Sequence, residues 1–220
     1  MRAQVKYMVI QRYATKYPVV SMCRFFDVSR SGYYSFRKRS KQLNRESLLE
    51  EQIQEHRNSA DRPNQKWVTG ISYIPTKQGI LYLSVIRDLF DLSIVAYKTS
   101  TRQSIKLVLD TIHTAIEKEE VTAELLLHSD QGFQYASQSY FALTTQYGIT
   151  PSMSRRANPY DNAMAENFFS ILKSECIRLF KPETIHEAQA LIEGYIAFYN
   201  NDRLQLNSKL SPIEKRRLFA

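Results

Sequence analysis

The chain has 220 residues, of which 43% are hydrophobic and 12% aromatic, enough for one well-packed domain with a smaller appendage and too many for a disordered chain. Its formal net charge of +8 favours a polyanionic partner. Two isolated cysteines, Cys23 and Cys176, exclude a disulfide framework or zinc module and suit a reducing cytoplasm, while an N-terminus without an apolar region excludes a signal peptide.

In the first forty residues Val5, Met8, Val9 and Tyr13 recur at helical spacing, and Pro18 ends that pattern. A short helix is expected over Val19–Phe26, then a tight turn at Asp27 and Val28. Ser29 is placed to cap a second helix running towards Lys38. That second helix is expected to expose Arg30, Ser31, Tyr33, Tyr34, Arg37, Lys38 and Arg39. Residues 1–40 are therefore assigned to a helix-turn-helix segment. Residues 41–66 form a charged helical connector ending in the breakers of SADRPNQ.

From Trp67 the period changes from helical to strand. WVTGISYI, ILYLSVIRD and SIVAYKTS are separated by short turns at PTKQG and around Phe90–Leu92, which predicts three antiparallel strands. Arg87, Asp88 and Asp91 interrupt the longest apolar run, so that run is core strand and not a membrane span. Gly70 is the odd residue in WVTGISYI, because a glycine inside a strand offers nothing to pack and costs about 0.5–1 kcal/mol relative to alanine. A bulge, a close approach to a ligand and a lost functional residue are the three readings of it. An amphipathic helix over 101–119 follows, with Ile105, Val108, Leu109, Ile112 and Ile116 on one face. A buried strand in AELLLHSD, a helix over 137–147, an extended ITPSMS, a strong helix in NAMAENFFSILKSE and two closing helices near 185–200 and 211–218 complete the chain. The succession is an α/β class with a mixed sheet: three antiparallel strands, then helix, strand, helix, strand, helix, which fits a ribonuclease H-like layout, while order alone leaves other α/β folds open. Residues 67–181 are assigned to this core and 182–220 to C-terminal helices packed on it.

Two carboxylates stand where chemistry could use them. Asp130 follows the end of the buried strand, and Glu166 lies about one turn into a helix whose expected N-cap is Asp161. Two acids in one cleft need a compensating cation, and an oxygen-only set suits Mg²⁺ or Mn²⁺. Lys173, seven residues after Glu166, returns to the same helical face and is placed to meet a phosphate. Each of these residues also has an ordinary reading, as turn residue, helix-end charge or surface lysine. His128 has no second ligand at metal spacing and reads as a hydrogen-bonded strand-end residue.

Across NQKWVTGISYI, HSDQGFQY, NPYDNAMAENFFSILKSE and FYNNDRLQLNSKLSP the chain resembles the catalytic subunit of bacterial insertion-sequence transposases, in the Asp-Asp-Glu transposase and retroviral integrase superfamily. Asp130 and Glu166 are separated by 35 residues, as in that family's Asp-35-Glu signature. VVSMCRFFDVSRSGYY matches the family's N-terminal helix-turn-helix. The resemblance implies DNA integration and transposition, with three carboxylates holding two Mg²⁺ or Mn²⁺ ions for cleavage and strand transfer. It makes Asp130 and Glu166 the second and third carboxylates, both catalytic and metal-binding, and Lys173 a contact to the DNA end. It makes Ser29, Arg30, Ser31, Tyr33 and Tyr34 groove or phosphate contacts, with Arg37, Lys38 and Arg39 adding sequence-independent affinity. Element ends and target DNA are the implied partners, together with further copies of the chain and without a small-molecule substrate or a membrane.

The family's first carboxylate belongs in a motif reading Trp-x-Thr-Asp-x-x-Tyr. Trp67, Thr69 and Tyr73 match it, and Gly70 stands where the aspartate belongs. The segment between helix-turn-helix and core is also shorter than the family's. Both departures imply impaired catalysis, with Asp88 and Asp91 as the nearest alternative acids. Three functional readings result: a transferase that tolerates Gly70, a DNA-binding protein or inhibitor without catalysis, and a helix-turn-helix regulator whose large domain only dimerises.

Overall fold

The computed structural model describes residues 3–14, 17–37, 60–121, 124–154, 163–206 and 208–219. The chain forms two compact units, Met1–Arg57 and Asn58–Ala220. The expected connector helix over 41–58 and the Asp161 cap lie outside the described residues.

The first unit contains α1 (Ala3–Tyr13), α2 (Val19–Phe25) and α3 (30–37). Asp27 turns the chain at φ 50°, in the left-handed region that aspartate tolerates better than most residues, and Val28 N–H donates to the Cys23 carbonyl at 3.0 Å. Ser29 Oγ accepts from Gly32 N–H at 3.0 Å, so the expected cap of the second helix is in place. The core of this unit is Ile10, Cys23 and Tyr33, all buried, with Tyr7, Val19, Met22, Phe26 and Val28 packed around them. In α1 it is Ile10 that turns inward, while Met8 and Tyr13 are exposed.

The second unit is built on a five-stranded sheet of order β3-β2-β1-β4-β5. Its strands are β1 (Lys66–Thr76), β2 (Gly79–Asp88), β3 (Ile94–Ser100), β4 (Leu126–Ser129) and β5 (Thr150–Met153). The first three are antiparallel neighbours, β4 pairs with β1 in parallel, and β5 pairs with β4 in parallel. The first hairpin closes through Gly79 at φ 125°, a conformation that a side chain strongly disfavours.

Strand alternation sends side chains to two layers. Trp67, Ile86, Ala96 and Leu127 pack with α4 (Ile105–Lys118) and α5 (Gln138–Gln146) through Val108, Ile112 and Tyr140. Val68, Ile74, Leu83 and Val85 pack on the other face against α6 (Ala163–Leu172) and α8 (Ile185–Asn201) through Ala165, Phe168, Ile192 and Tyr199. Each such fully buried large side chain contributes about 1.5–3 kcal/mol. Serine or threonine caps start the helices as the sequence requires: Ser104 for α4, Ser137 for α5, and the reciprocal boxes Thr184/Glu187 for α8 and Ser211/Glu214 for α9 (Pro212–Arg217). The helix predicted through Lys173 and Glu175 is α-helical only to Leu172. It widens into a π-turn over Lys173–Ile177, and the single turn α7 (Arg178–Phe180) follows.

The run YNNDR in α8 and just beyond it holds that helix to its neighbours. Tyr199 Oη accepts from Arg87 at 2.7 Å. Asn200 exchanges two bonds with the backbone of Ile94, at 2.8 and 3.0 Å, in place of a strand partner. Arg203 makes a two-pronged contact with Glu175 at 2.9 and 2.7 Å. Among the described residues no helix is long and apolar enough to cross a membrane.

Candidate active site

Gly70 lies in unbroken register. It pairs with Val85, between Thr69 opposite Ile86 and Ile71 opposite Ser84, so the bulge reading is excluded at this position. The irregularity in the sheet falls instead between Ile86 and Arg87 on the β2–β3 side. By alternation Gly70 takes the same face as Val68 and Ile74, the face that α6 covers. Val68 pairs with His128 in the parallel ladder, and two residues further along each strand stand Gly70 and Asp130. Gly70 is buried in the sheet, whereas Asp130 emerges at the strand end and is exposed.

Asp130 Oδ1 accepts from Gly132 N–H at 2.8 Å, closing a turn that aims the loop away from the strand. A methyl group at Gly132 would stand 2.8 Å from that same oxygen, so a side chain there would displace the Asp130 carboxylate from this bond. The loop is tied down beyond the turn. Thr69 donates its hydroxyl proton to the Val85 carbonyl at 2.9 Å, so the 3.3 Å contact between Thr69 Oγ1 and Tyr135 Oη has the tyrosine as donor. Burial raises the Tyr135 pKa well above its ordinary value and keeps that proton in place. His128 engages Ser152 Oγ through Nδ1 at 3.0 Å and Ser154 Oγ through Nε2 at 3.1 Å, the hydrogen-bonded strand-end role expected of it.

Glu166 is exposed in the first turn of α6. Its helix is held by Arg87, which is fully buried and donates to the Met164 carbonyl at 2.7 Å as well as to Tyr199 and the Leu92 carbonyl. Burial lowers the Arg87 pKa, and Tyr199 works against that loss. The sequence signal for this anchor was a lone arginine in an otherwise apolar strand, read there only as an interruption.

The alternative acids are engaged elsewhere. Asp88 and Asp91 are fully buried, and Arg216 reaches them at 3.1 and 2.6 Å. The same guanidinium also binds Glu119, and donates to Asn64 Oδ1 at 2.7 Å. Asp88 further accepts from the backbone of Asn64 and Phe90, each at 2.8 Å, and Asp91 from Ser93 N–H at 2.7 Å. Burial and the neighbouring Asp91 hold the Asp88 pKa above the usual carboxylate range. Burial opposes the Arg216 charge, but Asp91, Glu119 and Asp88 outweigh it and raise its pKa. Asp88 also pairs with Trp67, three residues from Gly70 along β1. Both acids are committed to this buried cluster.

Lys173 opens the π-turn, half-buried, with its Nζ 4.5 Å from the centroid of the Tyr73 ring. Burial, followed by Arg178, lowers its pKa. In the first unit Ser29, Arg30, Ser31, Tyr34 and Arg37 are exposed, and Ser29 spends an acceptor on the helix cap. Tyr33 is corrected: it is fully buried against Ile10 and Cys23, because its position on α3 turns towards α1 and α2, so it is a core residue and not a groove-facing one. Lys38 and Arg39 lie outside the described residues.

Asp130 and Glu166 are the two exposed carboxylates at the positions singled out in the sequence, and Gly70 has no side chain. Among the described residues no three His, Cys, Asp or Glu side chains converge to hold a metal ion.

Comparison with known proteins bears on the same residues. The family described as integrase core domain matches residues 60–159, and a second integrase core family matches 166–217. The transposase for insertion sequence element IS904 of Lactococcus lactis is 40% identical over 177 residues, covering 80% of this chain and 68% of that protein. The putative transposase InsK for IS150 of Escherichia coli is 40% identical over 158 residues, covering 71% of this chain and 56% of its own length. Among solved structures, a simian T-cell lymphotropic virus intasome in complex with a PP2A regulatory subunit aligns with a TM-score of 0.65 at 18% identity, covering 72% of this chain and 56% of that one. The HTLV-2 integrase catalytic core domain in complex with magnesium aligns with a TM-score of 0.59 at 16% identity, covering 71% and 99%. At those identities the likeness is one of fold, and it is the ribonuclease H-like fold expected from the order of elements.

Proposed function

Because this chain belongs to the insertion-sequence transposases with an integrase core, we propose that it is a DNA-transposition protein whose strand-transfer chemistry is impaired by Gly70. The register of Gly70 carries this reading. It stands two residues beyond Val68, which pairs with His128, and Asp130 stands two residues beyond His128 just past the end of β4; Gly70 takes the face covered by the helix of Glu166, in the motif position where the resemblance calls for an aspartate. The next acids along the chain, Asp88 and Asp91, are buried and engaged by Arg216.

In this reading Asp130 and Glu166 are the second and third carboxylates and hold whatever Mg²⁺ or Mn²⁺ still binds. Such ions, when present, stabilise charge on the transferring phosphate. The chain's own residues orient and exclude. Thr69 and Tyr135 fix the Asp130 loop to β1, Arg87 fixes the first turn of α6, and Lys173 meets a phosphate of the element end. With no carboxylate at position 70, the set that would hold the ions lacks one member, and loss of one member of an interdependent set removes most of the rate.

DNA binding is retained. Arg30, Ser31, Tyr34 and Arg37 on the exposed side of α3, with Lys38 and Arg39 after it, contact the duplex at the element ends, and their phosphate contacts weaken steeply as salt rises. Copies of the chain assemble on paired ends in the cytoplasm. A protein of this kind occupies ends or joins active multimers without cutting, acting as a regulator of the element.

The test is nicking of labelled duplexes carrying the terminal sequences of the element that encodes the chain, with Mg²⁺. Gly70→Asp is expected to gain Mg²⁺-dependent nicking while the native sequence shows none. Nicking by the native chain at a rate matching Gly70→Asp would overturn the impairment and leave an active transferase that tolerates glycine.

A further inference from the structure

Three residues of the WVTGISY motif survive beside Gly70, and the structure gives two of them a plain task. Trp67 fills the core beneath α4 and α5, and Thr69 pins the Asp130 loop through Tyr135. Tyr73 does neither. It is 60% exposed, on a strand whose neighbouring positions Ser72 and Ile74 are buried, so its ring is not there for packing. What it does touch is the ammonium of Lys173, 4.5 Å from the ring centroid.

That contact is made at an unusual point of the backbone. Lys173 is the first residue of the π-turn that interrupts the long helix after Leu172. Such widened turns cost regular hydrogen bonding and recur at functional sites, where they re-aim a side chain. A lysine is a compact charge on a flexible stem, and free in solvent it would sample many rotamers. A ring face within about 6 Å attracts the ammonium and narrows that sampling. Half-burial of the lysine and the nearby Arg178 push its pKa down, as expected where ring and helix take the place of water around the charge.

From this geometry we infer that Tyr73 is a positioning residue for Lys173: its exposed ring face holds the ammonium at the opening of the π-turn, ready for a phosphate of the bound DNA. The inference rests on the DNA-binding reading above. It assigns the last residue of the motif a role that does not depend on metal or on the residue at position 70. The motif's strand thus serves three elements at once: the α4/α5 layer through Trp67, the strand-end loop through Thr69 and the lysine after α6 through Tyr73.

Two measurements on the full chain test it. The first is the NMR signal of reductively ¹³C-methylated Lys173 without DNA. A ring-current shift is expected in the native chain and in Tyr73→Phe, and its loss in Tyr73→Ala. The second is the affinity for a labelled random-sequence duplex across a salt series. Lys173→Gln is expected to reduce the salt slope by about 0.9, the value of one phosphate contact. Tyr73→Ala is expected to weaken binding at low salt about two- to five-fold, Tyr73→Phe to leave it unchanged, and Tyr73→Ala to add nothing in the Lys173→Gln background. Equal weakening by Tyr73→Ala in both backgrounds would show that the ring acts by itself or supports the fold, and would overturn the inference. Unchanged affinity of Tyr73→Ala in the native background, or no ring-current shift in the native chain, would overturn it as well. If the native chain binds no duplex, the DNA-binding reading falls and takes this role with it, while the ring-current shift would persist and tell the two failures apart.

Discussion

Two pairs of acids in the same domain have opposite surroundings. Asp88 and Asp91 are sealed from solvent, share one guanidinium, and accept backbone bonds at the turn between β2 and β3. Asp130 and Glu166 are exposed, at a strand end and in a first helical turn. A buried carboxylate needs ionic and hydrogen-bond partners to offset its desolvation, and those partners occupy the lone pairs that a ligand would use. An exposed carboxylate adds little to stability and keeps its lone pairs available. The first pair is committed to the architecture, and the second is open to solvent. The comparison also shows why proximity in sequence to Gly70 does not make Asp88 a substitute for a missing ligand.

The largest effect should come from breaking the buried pair. Arg216→Met strands two buried acids and should destabilise the domain by about 3–5 kcal/mol in urea unfolding. A loss below about 1 kcal/mol would mean that the cluster is neutral by protonation rather than by pairing.

Next comes the tether between β1 and the Asp130 loop. Tyr135→Phe removes the donor to Thr69 and should cost about 1 kcal/mol, with amide exchange of Gly132 accelerated. No change in exchange would show that the turn at Asp130 is held by its own Asx bond alone.

Glu175 lies between the two extremes, partly exposed and gripped by Arg203 and Tyr195. The hydrogen bond from Arg203 holds its pKa below the ordinary value. A depressed carboxylate pKa contributes stability that is present above the unfolded value and is lost as pH falls through the folded one. Thermal melts should therefore show the native chain losing its advantage over Glu175→Gln on acidification below the ordinary glutamate range. Solvent screening limits that advantage to about 1 kcal/mol or less.

The smallest effect belongs to the exposed pair. Asp130→Asn, which keeps the acceptor for Gly132, and Glu166→Gln should each leave stability within about 0.5 kcal/mol. A larger loss in either would make it a structural acid and erase the contrast.

Much of the fold was legible because it follows from local periodicity. The switch from helical to alternating pattern at Trp67, the three antiparallel strands, and the Ser29 cap depend on neighbours in sequence, and the structure has them within a residue or two of expectation. Other features were not legible. Tyr33 reads as exposed beside Arg30 and Ser31, and only packing against Ile10, twenty-three residues earlier, turns it inward. The partner of Asp88 is 128 residues away. The π-turn at Lys173 occurs within a sequence of good helix formers and leaves no local signature. At the candidate site the spacing of Asp130 and Glu166 and the gap at Gly70 were visible as motif positions, but their exposure and the commitment of Asp88 and Asp91 were not.

By itself, then, the sequence determined the order and type of elements, the basic charge, the transposase motifs and the absence of an acid at position 70, because each is written in adjacent residues or in fixed spacing. Tertiary structure alone decided which carboxylates are buried with an arginine and which remain open, which aromatic is core and which meets a lysine, and that Gly70 sits in unbroken register with β2. Those outcomes depend on desolvation and on partners brought together across the sheet, and neither quantity is a property of any short stretch of chain.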